Sequence, residues 1–77
     1  MGTQLLIDRL RPELPAFFSR KVASEKTGGL YAPGTLANLD AQGKGPGAIS
    51  AGKSVVYERE AFLNWLALRM EAVSERR

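Results

Sequence analysis

Glycine and proline punctuation between residues 43 and 53 constrains this chain more than any other feature. Gly43-Lys44-Gly45-Pro46-Gly47 follows an unbroken run from Pro33 to Gln42 and precedes two short runs separated by Gly52-Lys53. Glycine supplies the left-handed backbone that ends a helix, and the residue before a proline is pushed towards extended geometry. A Gly-Lys pair between strand-prone residues fits a two-residue type II′ turn, which takes glycine first. Thr35–Tyr57 therefore reads as a short helix, a stop and a β-hairpin. The expected strands are Ala48–Ala51 and Ser54–Tyr57, with Ile49, Val55 and Tyr57 sharing one face.

The same logic parses the flanks. Ser19 is placed to cap a helix over Arg20–Lys26, with Phe17 and Phe18 packing over its start and Val22 and Ala23 facing inward. Gly28 or Gly29 ends that helix in left-handed geometry. A second helix is expected over Pro33–Gln42, because proline suits the first helical position. Ala32 stands where a capping hydroxyl or carboxylate would be, so this helix starts without a side-chain cap. Leu36 and Leu39 point to the core, and Gly43 closes the helix. A last helix, from about Arg59 to Val73, carries Phe62, Leu63, Trp65, Leu66, Met70 and Val73 as a broad apolar stripe. Trp65 reads as core or as a partner surface. Arg76 and Arg77 complement the dipole of this helix.

Residues 1–16 are expected to form an N-terminal arm or a short helix. Thr3 is placed to cap it, and Pro12 and Pro15 stop it. Residues 17–77 form the main domain. The fold class is mainly α with a small β-hairpin, in the order helix, helix, hairpin, helix. That is the order of a winged helix-turn-helix.

Composition removes several chemistries. The chain has 77 residues with no cysteine and no histidine. It has no disulfide, no thiolate or imidazole metal ligand, and no histidine base. No cofactor is expected. Glu58 and Glu60 are better explained by a helix start than by acid–base catalysis, so no enzyme is expected. No apolar run approaches the roughly 20 residues of a membrane helix. The N-terminus lacks a basic segment followed by an apolar stretch, so neither a signal peptide nor membrane association is expected. The default location is cytoplasmic.

The formal net charge is +3, which is compatible with nucleic acid without establishing it. A helix lying in the major groove presents its N-terminal turns to base edges. Here those turns carry Gly34, Thr35 and Asn38, with Gln42 further along. Asparagine can pair with adenine through two hydrogen bonds, and threonine can donate, accept or touch a thymine methyl. Arg20 and Lys21 at the first helix, together with Lys44, are phosphate candidates, as is Lys26. Lys53 at the hairpin tip is placed for a phosphate or the minor groove. Each residue also has a plainer reading. Asn38 fits a solvated helix face, Thr35 a helix start and Lys53 a soluble turn. Gly28-Gly29 lacks the spacing of a phosphate loop. Asp40 on the reading helix would repel phosphate unless it points away or pairs with a base.

The ordered set of short motifs resembles the excisionase and AlpA-type group of phage and prophage regulators, within the MerR-like winged helix-turn-helix superfamily. The motifs are Ser19-Arg20-Lys21, Thr27-Gly28-Gly29, Thr35-Leu36-Ala37-Asn38, Gly43-Lys44-Gly45-Pro46, the Gly52-Lys53 hairpin, Val55-Val56-Tyr57 and Phe62-Leu63-Asn64-Trp65-Leu66. The resemblance covers about residues 17–68. It implies a non-catalytic protein that binds double-stranded DNA sequence-specifically, as a transcription regulator or as a recombination directionality factor. The implied protein partner is RNA polymerase or an integrase, respectively. Two departures stand out: Ala32 lacks the usual capping hydroxyl, and the hairpin carries only Lys53. Modest affinity for a single site follows, which favours several copies bound side by side. The alternative is a protein-interaction module, in which the long apolar stripe of the last helix finds a partner helix or a second copy.

Overall fold

The computed structural model describes residues 2–75, with side-chain surroundings for residues 4–70. Four α-helices and a three-stranded antiparallel sheet make up these residues. In chain order they are α1 (Gly2–Leu10), a 3₁₀ turn (Arg11–Glu13), β1 (Phe17–Ser19), α2 (Arg20–Lys26), α3 (Pro33–Ala41), β2 (Ile49–Ala51), β3 (Ser54–Glu58) and α4 (Arg59–Glu75). The expected roles of Arg76, Arg77 and the Val73 side chain lie outside the described residues. No described helix is long and apolar enough to cross a membrane.

The opening segment is helical, and its helix already includes Thr3, so the expected capping position falls inside the first turn. Ile7 is buried, and Leu10 packs on the same core, whereas Leu5 and Leu6 remain exposed. Pro12 sits at the start of the 3₁₀ turn that follows α1. Arg11 spans the junction, donating to Asp8 at 3.1 Å and to Glu60 of α4 at 3.1 and 3.2 Å. These groups are exposed, so the contacts orient α1 more than they stabilise it.

The sheet has one more strand than the hairpin alone. Its order is β1-β3-β2, so β3 lies in the centre and β1 covers its second edge. Phe18 lies opposite Tyr57 and Phe17 opposite Glu58. Successive strand residues point to opposite faces. Phe18 therefore faces the core, while Phe17 is 57 % exposed instead of packing over the start of α2. Three residues are too few to show strand alternation, which is why β1 has no signature in the sequence.

The hairpin corrects a second expectation. With Gly52-Lys53 as the turn, Ala51 meets Ser54, Ser50 meets Val55 and Ile49 meets Val56. Directly opposed residues share a face. Ile49 therefore lies on the outer face with Val56, not with Val55 and Tyr57, and is 45 % exposed. The turn itself is as expected: Gly52 has φ +68°, and among the described residues no non-glycine residue has positive φ.

The core consists of Ile7, Leu14, Phe18, Ala23, Leu36, Tyr57, Phe62, Leu63 and Leu66. Phe18 stands edge-on to Phe62 with ring centres 5.2 Å apart, and Tyr57 lies 5.8 Å from Phe62. Such aromatic geometry adds about 0.5–1.5 kcal/mol per pair beyond area burial. The helix α4 begins directly after β3 because Glu58 caps it. Its two carboxylate oxygens accept from the amides of Glu60 and Ala61, both at 3.0 Å. Those backbone bonds hold the Glu58 carboxyl below its usual range.

Candidate nucleic-acid interface

Helices α2 and α3, the connector after α3 and the hairpin carry the residues singled out for binding. Helix α2 starts where Ser19 Oγ accepts from the Val22 amide at 3.2 Å. It ends on Gly28 and Gly29, both left-handed, whose amides return to the carbonyls of Glu25 and Ser24 at 3.1 and 2.8 Å. This paired closure satisfies carbonyls that would otherwise be left open at the helix end. It turns the chain within a few residues and delivers it to Pro33.

Helix α3 begins with Pro33 in its first turn and Ala32 before it, and no side chain caps it. Leu36 is fully buried and anchors one face. Gly34, Thr35, Asn38 and Gln42 are all exposed. Their spacing of three and four residues puts them on the face opposite Leu36. Leu39, expected in the core, is half-buried.

Asp40 is the acidic residue that a phosphate-facing helix should avoid, and here it turns inward. Its Oδ2 accepts from the Tyr57 hydroxyl at 2.6 Å and from the Arg20 guanidinium at 2.9 Å. Arg20 Nε donates in turn to the Tyr57 oxygen at 3.1 Å. One carboxylate thus ties α3 to the first residue of α2 and to the central strand. Burial, then the bond to Asp40, pushes the Tyr57 hydroxyl up to about 12. Hydrogen bonds to Asp40 and then Tyr57 raise the Arg20 guanidinium above its ordinary value. Arg20, singled out as a phosphate contact, therefore has its charge engaged inside the protein, and its side chain is 26 % exposed.

The glycine-rich connector is closely fixed. Gly43 takes φ +74°, its amide reaches the Asp40 carbonyl at 3.0 Å, and the Lys44 amide reaches the Leu39 carbonyl at 2.8 Å. The next carbonyl, that of Lys44, accepts from the Trp65 indole at 2.8 Å. Gly45 lies directly against Asp40: a Cβ there would overlap the carboxylate and sit 3.1 Å from the Asp40 amide nitrogen. Pro46 is buried. The segment between α3 and the hairpin is thus attached at three successive residues.

Lys21, Lys44 and Lys53 are exposed. Among the described residues none of the three takes part in an ion pair, whereas Lys26 lies 3.9 Å from Glu13. Lys53 stands apart at the hairpin tip. The inward set of Arg20, Asp40 and Tyr57 was only half visible in the sequence, as an acid out of place on a reading helix. A second arrangement gave no sequence signal. Arg69 of α4 stacks over Trp65 at 5.2 Å and Tyr31 at 5.7 Å, and donates to the Tyr31 hydroxyl at 3.1 Å. It braces the loop between α2 and α3.

The chain matches no family model, no curated protein and no solved structure.

Proposed function

We propose that this chain binds double-stranded DNA as a small winged helix-turn-helix protein of the excisionase or AlpA type. Helix α3 reads the major groove, and the hairpin lies on flanking DNA. The observation that carries the proposal is the division of α3. One face is an uncharged, hydrogen-bonding surface of Gly34, Thr35, Asn38 and Gln42, while the single acidic side chain is turned inward and neutralised. An uncharged helix face with donors and acceptors suits base edges better than phosphates. Lys21, Lys44 and Lys53 supply the phosphate contacts, which set register and orientation.

The lysines also set a magnitude. Three neutralised phosphates give a slope of about −2.7 for log K against log salt. Selection from a random duplex pool identifies the preferred site, and titration at several salt concentrations measures the slope. Asn38→Ala weakens the selected site by roughly 1–3 kcal/mol and leaves random duplex nearly unchanged. A slope near zero would exclude DNA as the ligand, and equal loss on both duplexes would exclude base reading by Asn38.

A second reading, a protein-interaction module, is favoured by one feature. Leu6, Ile7, Leu10, Leu30, Leu66 and Met70, with Lys26 and Thr27 at the end of α2, line an open, mostly apolar groove of about 220 Å³ bounded by α1, α4 and the end of α2. Sedimentation of the free protein distinguishes self-association through such a surface from a monomer.

A further inference from the structure

We infer that Asp40 is a built-in counter-ion that withholds Arg20 from DNA phosphates, and so lowers binding to random sequence while holding α3 at a fixed attitude. The inference rests on the DNA-binding reading above and adds a specificity-determining residue to it. Asp40 makes no direct contact in this scheme; it acts through Arg20 and Tyr57.

Three observations carry it. First, the Arg20 charge is satisfied twice, by Asp40 at 2.9 Å and by the Tyr57 oxygen at 3.1 Å. Second, the Asp40 side chain is only 13 % exposed. If Arg20 swung out to a phosphate, it would leave a largely buried carboxylate without its counter-charge, which is costly. Third, Gly45 closes over the same carboxylate so tightly that no Cβ fits, which fixes Asp40 where Arg20 meets it. Arg20 nevertheless keeps a quarter of its side chain in solvent. Neutralising Asp40 would therefore release a long, permanently charged side chain beside exposed Lys21. A phosphate contact adds affinity on any sequence, so the released charge strengthens random binding. The freed α3 loses its anchor at the same time, and the selected site gains less.

The test measures salt dependence on random duplex DNA for the parent, for Asp40→Asn, and for the charge-balanced pair Arg20→Gln/Asp40→Asn. Thermal melts followed by circular dichroism confirm folding. Asp40→Asn is expected to steepen the slope by about 0.9, one further phosphate, so that affinity falls about 3.5-fold more than the parent's between 50 and 200 mM salt. The double variant is expected to return to the parent slope. A double variant flatter than the parent by about 0.9 would show that Arg20 already contacts phosphate, and would overturn the inference. So would equal steepening with and without Arg20, which would mean that only the local field had changed. If Asp40→Asn does not fold, Arg20→Gln alone decides: an unchanged slope supports withholding, and a slope flatter by about 0.9 refutes it. A parent slope near zero refutes the DNA reading as well, and is distinguished by appearing in the unmodified chain.

Discussion

Gly45→Ala tests the packing at the centre of the proposed interface. Gly45 has no positive φ, so alanine meets no left-handed backbone penalty there, and the destabilising part of the effect comes from contact. The new methyl would overlap the Asp40 carboxylate, approach its Cγ to 2.9 Å, and lie 3.1 Å from the Asp40 amide nitrogen. The carboxylate is the part that can give way, but moving it breaks the bonds from Tyr57 and Arg20. Overpacking typically costs about 1–3 kcal/mol, and a hydrogen bond to a charged group is worth a comparable amount, about 1.5–3. These are two routes for relieving one clash, so the expected loss is about 1–3 kcal/mol and not their sum. For a domain of this size that lowers the melting temperature by roughly 4–8 °C per kcal/mol. Gly34→Ala is the internal control: its Cβ meets nothing within 4 Å and the position is helical. It should stabilise by about 0.4–1 kcal/mol through the unfolded chain and helix propensity. Urea unfolding monitored by circular dichroism reads both variants. The two positions should also be coupled: in an Asp40→Ala background the colliding carboxylate is gone, so most of the Gly45→Ala cost should vanish. Strict additivity in that cycle would refute the assignment of the cost to this carboxylate.

Three further outcomes follow from other contacts. Ser19→Ala removes the cap on α2 and should cost about 1 kcal/mol in the same urea assay, with Ser19→Gly costing only a few tenths at the cap itself. Glu58 has a depressed folded-state value, so its contribution is present above the unfolded glutamate range and is lost as pH falls through the lower folded value. Melting temperatures measured from neutral to acid pH should therefore fall across that window, and less steeply in Glu58→Gln. Tyr57→Phe keeps the ring in the core and removes the hydroxyl that joins Asp40 and Arg20. It should lower stability by about 1–3 kcal/mol, because a part-buried carboxylate loses one donor.

Much of the backbone plan was legible because it depends on local chemistry. Ser19, Gly28, Gly29, Pro33, Gly43 and Gly52 each mark a helix end or a turn, and each sits where its residue type alone places it. The parity of Val55 and Tyr57 pointed to one inward face, and Tyr57 is fully buried. What stayed hidden depends on contacts between distant segments. Strand β1 exists because Phe17–Ser19 pairs with Val56–Glu58, some forty residues on. Apolar character alone does not reveal the face of Ile49, because hairpin parity follows from counting outward through the turn. At the candidate site, the exposed face of α3 followed from its period, with Leu36 marking the opposite side. The fate of Arg20 did not, since its partners lie on α3 and β3. A basic residue at a helix start is open to phosphate until the tertiary structure supplies a nearer carboxylate.

The bond from Trp65 to the Lys44 carbonyl also gives the molecule an optical property. Trp65 is the only tryptophan in the sequence, and its indole N–H is committed to the first residue past Gly43. Indole emission responds to the polarity and hydrogen bonding of its surroundings. The fluorescence of the native chain is therefore a label-free gauge of whether the connector between α3 and the hairpin is attached. Detachment of that segment would free the indole N–H of this α4 residue and show as a spectral change.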